Sequence, residues 1–194
     1  MHDASQTKER LLKEATRLVE QRGFTATSLN DLLLAAGVKK GAFYHHFSAK
    51  DELGVAVLER TRKAFLDWLD KLLVAPTPVE GLHKFFASAL ELHRKRGFVG
   101  GCLFGNTALE MSDVSRQYAD VVEQVFEEWC GRIEAVVGAA QESGQIRNDI
   151  SAGDLAQMVV ATMEGGIMLS RLKKEEGPLK TCLDSLKLFL QTPA

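Results

Sequence analysis

Proline is missing from residues 1–75 and again from 79–177 of this 194-residue chain, and strictly alternating apolar and polar runs are scarce. Proline removes a backbone donor and breaks helix interiors. Long stretches without it, carrying apolar residues three and four apart, read as helices, and the expected fold class is all-α with about nine of them. Cysteine is also rare. Cys102, Cys130 and Cys182 are odd in number and widely spaced, which excludes a disulfide framework or a zinc-finger pattern and leaves reduced thiols and no metal as the expectation. No apolar run approaches the roughly 20 residues needed to cross a bilayer. No basic segment followed by an apolar one opens the chain as in a secretory leader, so a cytoplasmic protein without a membrane partner is expected. The glycine-rich run around Cys102 lacks the lysine of a phosphate loop and fails the dinucleotide pattern, so no cofactor is implied.

What is present is 45% hydrophobic and 26% charged residues, the balance of a globular chain long enough to bury a sizeable core. The net charge of −2 conceals an asymmetry. Residues 1–50 hold eight Lys+Arg against five Asp+Glu, whereas the remaining 144 hold sixteen against twenty-one. A basic head can neutralise phosphates and release counterions, and an acidic body does not wrap nucleic acid.

The head has an internal order. A first helix at about Ser5 to Gln21 puts Leu11, Leu12, Ala15, Leu18 and Val19 on one stripe and stops at Gly23. Leu29, Leu32, Leu33 and Ala36 repeat at helical spacing behind a Ser28–Asp31 capping box, and Gly37 ends that helix. Gly41, a second turn-former, opens a short element with Phe43 and Phe47 on one face. Lys40, Tyr44, His45 and His46 are left for the other face. Ser48-Ala49-Lys50-Asp51 reads as another capping box, starting a helix that runs to about Val74 and halts at Pro76 and Pro78. Further helices are expected at about Val79–Arg96, Gly101–Met111, Val114–Ser143, Ala152–Lys174 and Pro178–Gln191.

Residues 7–53 resemble the DNA-binding domain of the TetR family of bacterial transcriptional regulators. The resemblance rests on Gly37-Val38-Lys39-Lys40-Gly41-Ala42-Phe43-Tyr44-His45-His46-Phe47, which matches "G-V-x-x-G-x-x-Y-x-H-F". It implies a helix-turn-helix domain at 1–50 and an effector-sensing and dimerisation domain at 51–194. Matched residue by residue, it implies that Tyr44 and the Gly41 backbone approach bases while Lys40, His45, His46 and Lys50 hold phosphates. Lys39 adds a cation, and Ser28 completes the DNA-facing set. The alternatives are ordinary surface lysines and, for Tyr44 and the histidines, packing between helices, with His46 the best suited to that role.

In the body, Gly101-Cys102-Leu103-Phe104-Gly105-Asn106-Thr107-Ala108-Leu109-Glu110-Met111 resembles a subgroup of the family that includes electrophile- and acrylate-responsive repressors, in which the cysteine is the reactive group. Arg94, Lys95 and Arg96 lie just upstream, and nearby cations lower a thiol pKa; the alternative is a small apolar filler. A noncovalent effector pocket would draw on Phe98, Phe104, Met111, Trp129 and Met163, with Asn106, Glu110 and Glu164 as polar contacts. The family pattern also implies a homodimer through the last two helices, here Leu155, Met158, Val159, Gly165, Gly166, Leu169, Leu183 and Leu186, though burial within one subunit serves the same periodicity equally well. The implied partners are double-stranded DNA, a second copy and a small-molecule effector. The competing readings are a thiol enzyme using Cys102 with His83 or His93, and a helical interaction module without DNA. The first lacks a third orienting residue, and the second leaves the basic head unexplained.

Overall fold

Nine helices and no strand occur among the described residues of the computed structural model, which are residues 2–192 with side chains from Ser5 onward. They are α1 (His2–Arg22), α2 (Leu29–Ala36), α3 (Lys40–Tyr44), α4 (Lys50–Leu73), α5 (Pro78–Lys95), α6 (Leu103–Met111), α7 (Arg116–Glu142), α8 (Ala152–Lys173) and α9 (Gly177–Leu190). The all-α expectation holds, with ends displaced by at most three residues from those read in the sequence. No helix among the described residues is long and apolar enough to cross a membrane.

The chain divides into two compact units, residues 1–63 with 103–123 and residues 64–102 with 124–194. The first unit therefore takes in α6 and the start of α7 as well as the N-terminal helices. Its buried side chains include Leu11, Ala15 and Val19 of α1, Leu32 and Ala36 of α2, Phe43 of α3 and Leu53, Val57 and Leu58 of α4. α2 is bounded as its sequence demands. Asp31 N–H donates to Ser28 Oγ (3.1 Å) and Ser28 N–H donates to Asp31 Oδ2 (3.0 Å). At the other end Gly37 takes a left-handed φ of 61° and the Val38 N–H reaches Leu33 O (3.0 Å), closing the turn on the helix carbonyls.

Two local expectations are corrected. The partner of Ser48 is Glu52, not Asp51: the Glu52 carboxylate accepts from both Ser48 N–H (2.6 Å) and Ser48 Oγ (2.8 Å). α6 begins at Leu103 rather than Gly101, because Gly97, Phe98, Gly100 and Gly101 all hold positive φ, which an α-helix does not admit.

The second unit is organised around Leu82, Phe85, Phe86 and Ala89 of α5, Trp129, Ile133 and Val137 of α7, Leu155, Val159 and Met163 of α8, and Leu179, Leu183 and Leu186 of α9. α8 and α9 approach closely at Gly166, where a Cβ would lie 3.1 Å from Cys182 Cβ and from Leu179 Cα. Gly166 is thus required by packing within the subunit, while beyond Gly165 there is open space.

Candidate nucleic-acid interface

α3 is a single turn and a half, too short to be stable alone. It is anchored through Phe43, which is fully buried, and Phe47, buried just beyond it. The rings of Phe43 and Phe47 lie 5.8 Å apart, and Lys8 Nζ sits 5.6 Å from the centroid of Phe47. With that side taken, Lys39, Lys40, Gly41, Tyr44 and His45 face solvent and His46 is half-buried. Tyr44 is 48% exposed, and its ring meets Phe43 edge to face at 5.3 Å. Lys40 Nζ stands 5.9 Å from the Tyr44 centroid, and the rings of His45 and His46 pack at 5.2 Å. The face thus presents two lysines, a phenol and two imidazoles on a buried aromatic footing. Such donors suit phosphate oxygens and base edges.

Gly41 differs from its expected role. It holds a helical conformation inside α3, not a turn, and nothing lies within 4 Å of where its Cβ would be. Its use is the bare backbone it exposes. Lys50 differs more. Its ammonium donates to Phe24 O (2.7 Å) and Thr27 O (2.9 Å), two carbonyls of the loop between α1 and α2. The lysine is half-buried and committed inside the first unit. The Ser28 hydroxyl is likewise occupied, accepting from Asp31 N–H and donating to Asp31 Oδ2 (2.7 Å).

The residues read as effector contacts fall into both units. Phe98, Cys102, Trp129 and Met163 belong to the second, and Phe104, Asn106 and Glu110 to the first. Phe98, Trp129 and Met163 are buried. Cys102 is half-buried and outside any disulfide among the described residues, and its side chain hydrogen-bonds to the Glu164 carboxyl, which sets an acid beside the thiol. Arg94 is paired with Glu91 (2.6 Å) and Glu176 (2.7 Å), and Lys95 with Glu91 (3.7 Å). Burial lifts the Glu164 pKa to about 7, the thiol opposing the rise. Burial, helped by Arg96, pushes His93 down to about 4, which makes it a weak base for the thiol-enzyme reading. Among the described residues no group of three His, Cys, Asp or Glu is placed to hold a metal.

Glu110 is not free to meet an effector. Its carboxylate accepts from Phe24 N–H (3.0 Å) and Thr25 N–H (2.6 Å) in the α1–α2 loop. Sequence reasoning missed this clamp because the partners lie 85 residues away. It also missed Tyr118, whose buried ring packs 4.9 Å from Phe24 and whose hydroxyl fills the space beside Gly54. A glycine in the interior of α4 was the available signal for a bulky neighbour.

Residues 11–57 match the family model for bacterial regulatory proteins of the tetR family, and residues 78–186 match the tetracyclin repressor-like C-terminal domain. The chain belongs to the TetR family. It is 28% identical over 174 residues to the HTH-type transcriptional repressor DhaR of Mycobacterium sp. (strain GP1), covering 89% of this chain and 86% of that one. It is 29% identical over 202 residues to the HTH-type transcriptional repressor NemR of Escherichia coli (strain K12), covering 100% and 98%. The crystal structure of E. coli NemR in its reduced form superposes with a TM-score of 0.86 at 27% identity, covering 97% of this chain and 99% of that chain. That of a regulatory protein TetR from Rhodobacter sphaeroides superposes at 0.88 with 27% identity, covering 93% and 97%. This TetR-family member is a helix-turn-helix transcriptional regulator rather than an enzyme.

Proposed function

We propose that this regulator is a cytoplasmic repressor that binds a palindromic operator as a homodimer and is released by a small-molecule effector or by modification of Cys102. The observation that carries the reading is the exposed face of α3, where Lys39, Lys40, the Gly41 backbone, Tyr44, His45 and His46 stand on the buried Phe43 and Phe47. Tyr44 is held by two neighbouring side chains, so little rotamer freedom is lost on contact. One short helix binds weakly. Two such heads about 34–36 Å apart read successive major grooves, and linkage raises their joint affinity. The head is the DNA-binding domain at residues 1–50, and residues 51–194 serve sensing and dimerisation.

The second copy is proposed to cover the apolar groups that α8 and α9 leave exposed, Met168, Leu169, Leu172, Leu188 and Phe189. Met158 is half-buried and Gly165 faces open space on α8. Leu155, Val159, Gly166, Leu183 and Leu186 are already buried in the subunit's own core and support the dimer face from beneath.

For release, the Cys102–Glu164 pair supplies a nucleophile and a proton acceptor. On addition to an α,β-unsaturated carbonyl compound, the S–H proton passes to the Glu164 carboxylate and sulfur bonds to the β-carbon. The alkene pair moves onto the carbonyl as an enolate, which takes the proton back from Glu164. A relative crystallised in a reduced form supports a thiol-responsive reading. A noncovalent effector is favoured by a separate observation. Trp129 Nε1 and Glu164 Oε1 are buried without a hydrogen-bond partner, so a ligand carrying an acceptor and a donor would satisfy both.

The test is a gel-shift titration with the duplex flanking the protein's own gene, with and without N-ethylmaleimide. The wild-type complex is expected to dissociate on alkylation. Cys102→Ser is expected to keep the complex and ignore the reagent, while Cys130→Ser and Cys182→Ser respond as wild type. Equal responses from all three variants would remove Cys102 from the switch.

A further inference from the structure

The loop joining α1 to α2 is held by charges on opposite sides of one peptide group. Phe24 N–H and Thr25 N–H donate to the Glu110 carboxylate of α6 (3.0 and 2.6 Å). Phe24 O and Thr27 O accept from Lys50 Nζ at the start of α4 (2.7 and 2.9 Å). Thr27 turns its hydroxyl back to Gly23 O (2.6 Å). Gly23 holds a φ of +86°, and a Cβ there would sit 2.6 Å from Glu110 Oε2, so the loop closes directly on the carboxylate. Lys50 also acts electrostatically on Glu110, and the hydrogen bonds keep that carboxyl below its ordinary pKa despite partial burial. Hydrogen bonds with an ionised partner are about twice as strong as neutral ones, so the clamp is stiff.

What leaves this loop is the DNA-reading pair of helices. Ser28, the residue after Thr27, is the N-cap of α2, and α3 follows through Gly37. A displacement of the loop therefore displaces α2 and α3 together. We propose that Glu110 is a positioning residue for the DNA face, acting through the Phe24 peptide and Lys50, so that α6 fixes the pose in which α2 and α3 meet the operator. Lys50 serves DNA binding from inside the domain and not as a phosphate contact. The inference rests on the reading of α3 as the operator-contacting helix and is independent of whether Cys102 is a sensor.

The test is a double-mutant cycle with operator affinity as its readout, on Glu110→Ala, Lys50→Met and the double variant of the full chain, at matched helicity and fixed protomer concentration. Each single change is expected to weaken operator binding by about tenfold and to leave binding to a random-sequence duplex unchanged. The double variant is expected to be no weaker than the poorer single within about threefold. Glu110→Gln, which keeps one acceptor oxygen for the loop, is expected to recover part of the loss and serves alone where the alanine variant does not fold. Hydrogen exchange gives a DNA-independent arm, in which the Phe24 and Thr25 amides exchange faster in Glu110→Ala. Losses that multiply would put Lys50 on the phosphate backbone and overturn the proposal, as would single variants that bind the operator like wild type. A wild-type chain indifferent to every duplex would overturn the functional reading, and this one with it.

Discussion

Glu164 and His93 lie in the same unit and titrate over nearly the same pH window in opposite senses. Burial lifts Glu164 from 4.5 to about 7, so between those values the folded chain holds a proton that the unfolded chain has released. Its contribution to stability is complete below pH 4.5 and is lost as pH rises through 7. His93 is pushed from 6.5 to about 4, so the folded chain refuses a proton that the unfolded chain accepts. Its contribution is complete above pH 6.5 and is lost as pH falls through 4. At about 1.4 kcal/mol per pH unit, each group changes stability by about 2 kcal/mol between pH 4.5 and 6.5, with opposite signs. The wild type is therefore expected to be almost level over that interval as far as these two groups act. Glu164→Gln removes the falling part and is expected to gain about 2 kcal/mol from pH 4.5 to 6.5. His93→Gln is expected to lose about as much. Urea unfolding at a fixed protomer concentration measures both, since the stability of any oligomer varies with concentration. The lowered carboxyls of Asp31, Glu52, Glu110, Asp149 and Asp184 act mainly below this window and are common to all three proteins. Parallel stability profiles for wild type and both variants would refute the reasoning.

Tyr44→Ala is expected to reduce specific operator affinity by about 1–3 kcal/mol while binding to random duplex and thermal stability stay unchanged, because the ring stands outside the core; an unaltered footprint would remove Tyr44 from the interface. Gly54→Ala drives a methyl group into the Tyr118 hydroxyl and to 3.0 Å from Phe24, and a loss of about 1–3 kcal/mol is expected in thermal or urea unfolding. Adding Tyr118→Phe is expected to restore part of that loss, and an unchanged melting temperature for the single variant would contradict the packing.

The helices were legible because their boundaries are local. Gly37 and the Pro76–Pro78 pair mark ends that need only the preceding turn, and Ser28 with Asp31 is a cap within four residues. The exposed face of α3 was legible for the same reason, since the spacing of Phe43 and Phe47 decides which side is buried. The errors come where several local partners compete or where the partner is remote. Ser48 has acids three and four residues ahead, and the second captures it. Gly41 follows a proper helix entry at Lys39 and needs no turn of its own. Glu110 sits in a motif that reads as an effector segment, yet its carboxylate is claimed by two backbone amides that no periodicity connects to it.

Charge shows the same division between what is counted and what is available. The eight cations of residues 1–50 do not form one uniform basic surface. Arg17 pairs with Glu14 at 2.9 Å, Arg22 pairs with Asp31 at 3.0 Å, and Lys50 is spent on loop carbonyls. These pairings leave the net charge of the head unaltered but fix where its field is strongest. Lys39 and Lys40 stand exposed, Lys40 beside Tyr44, with no acid paired to either among the described residues. Counterion release depends on cations that reach phosphate, and an internally committed lysine displaces none. The α3 face therefore carries positive charge, exposed backbone and an aromatic donor together, while the pairs around it act to hold α1 and α2 in place beneath it.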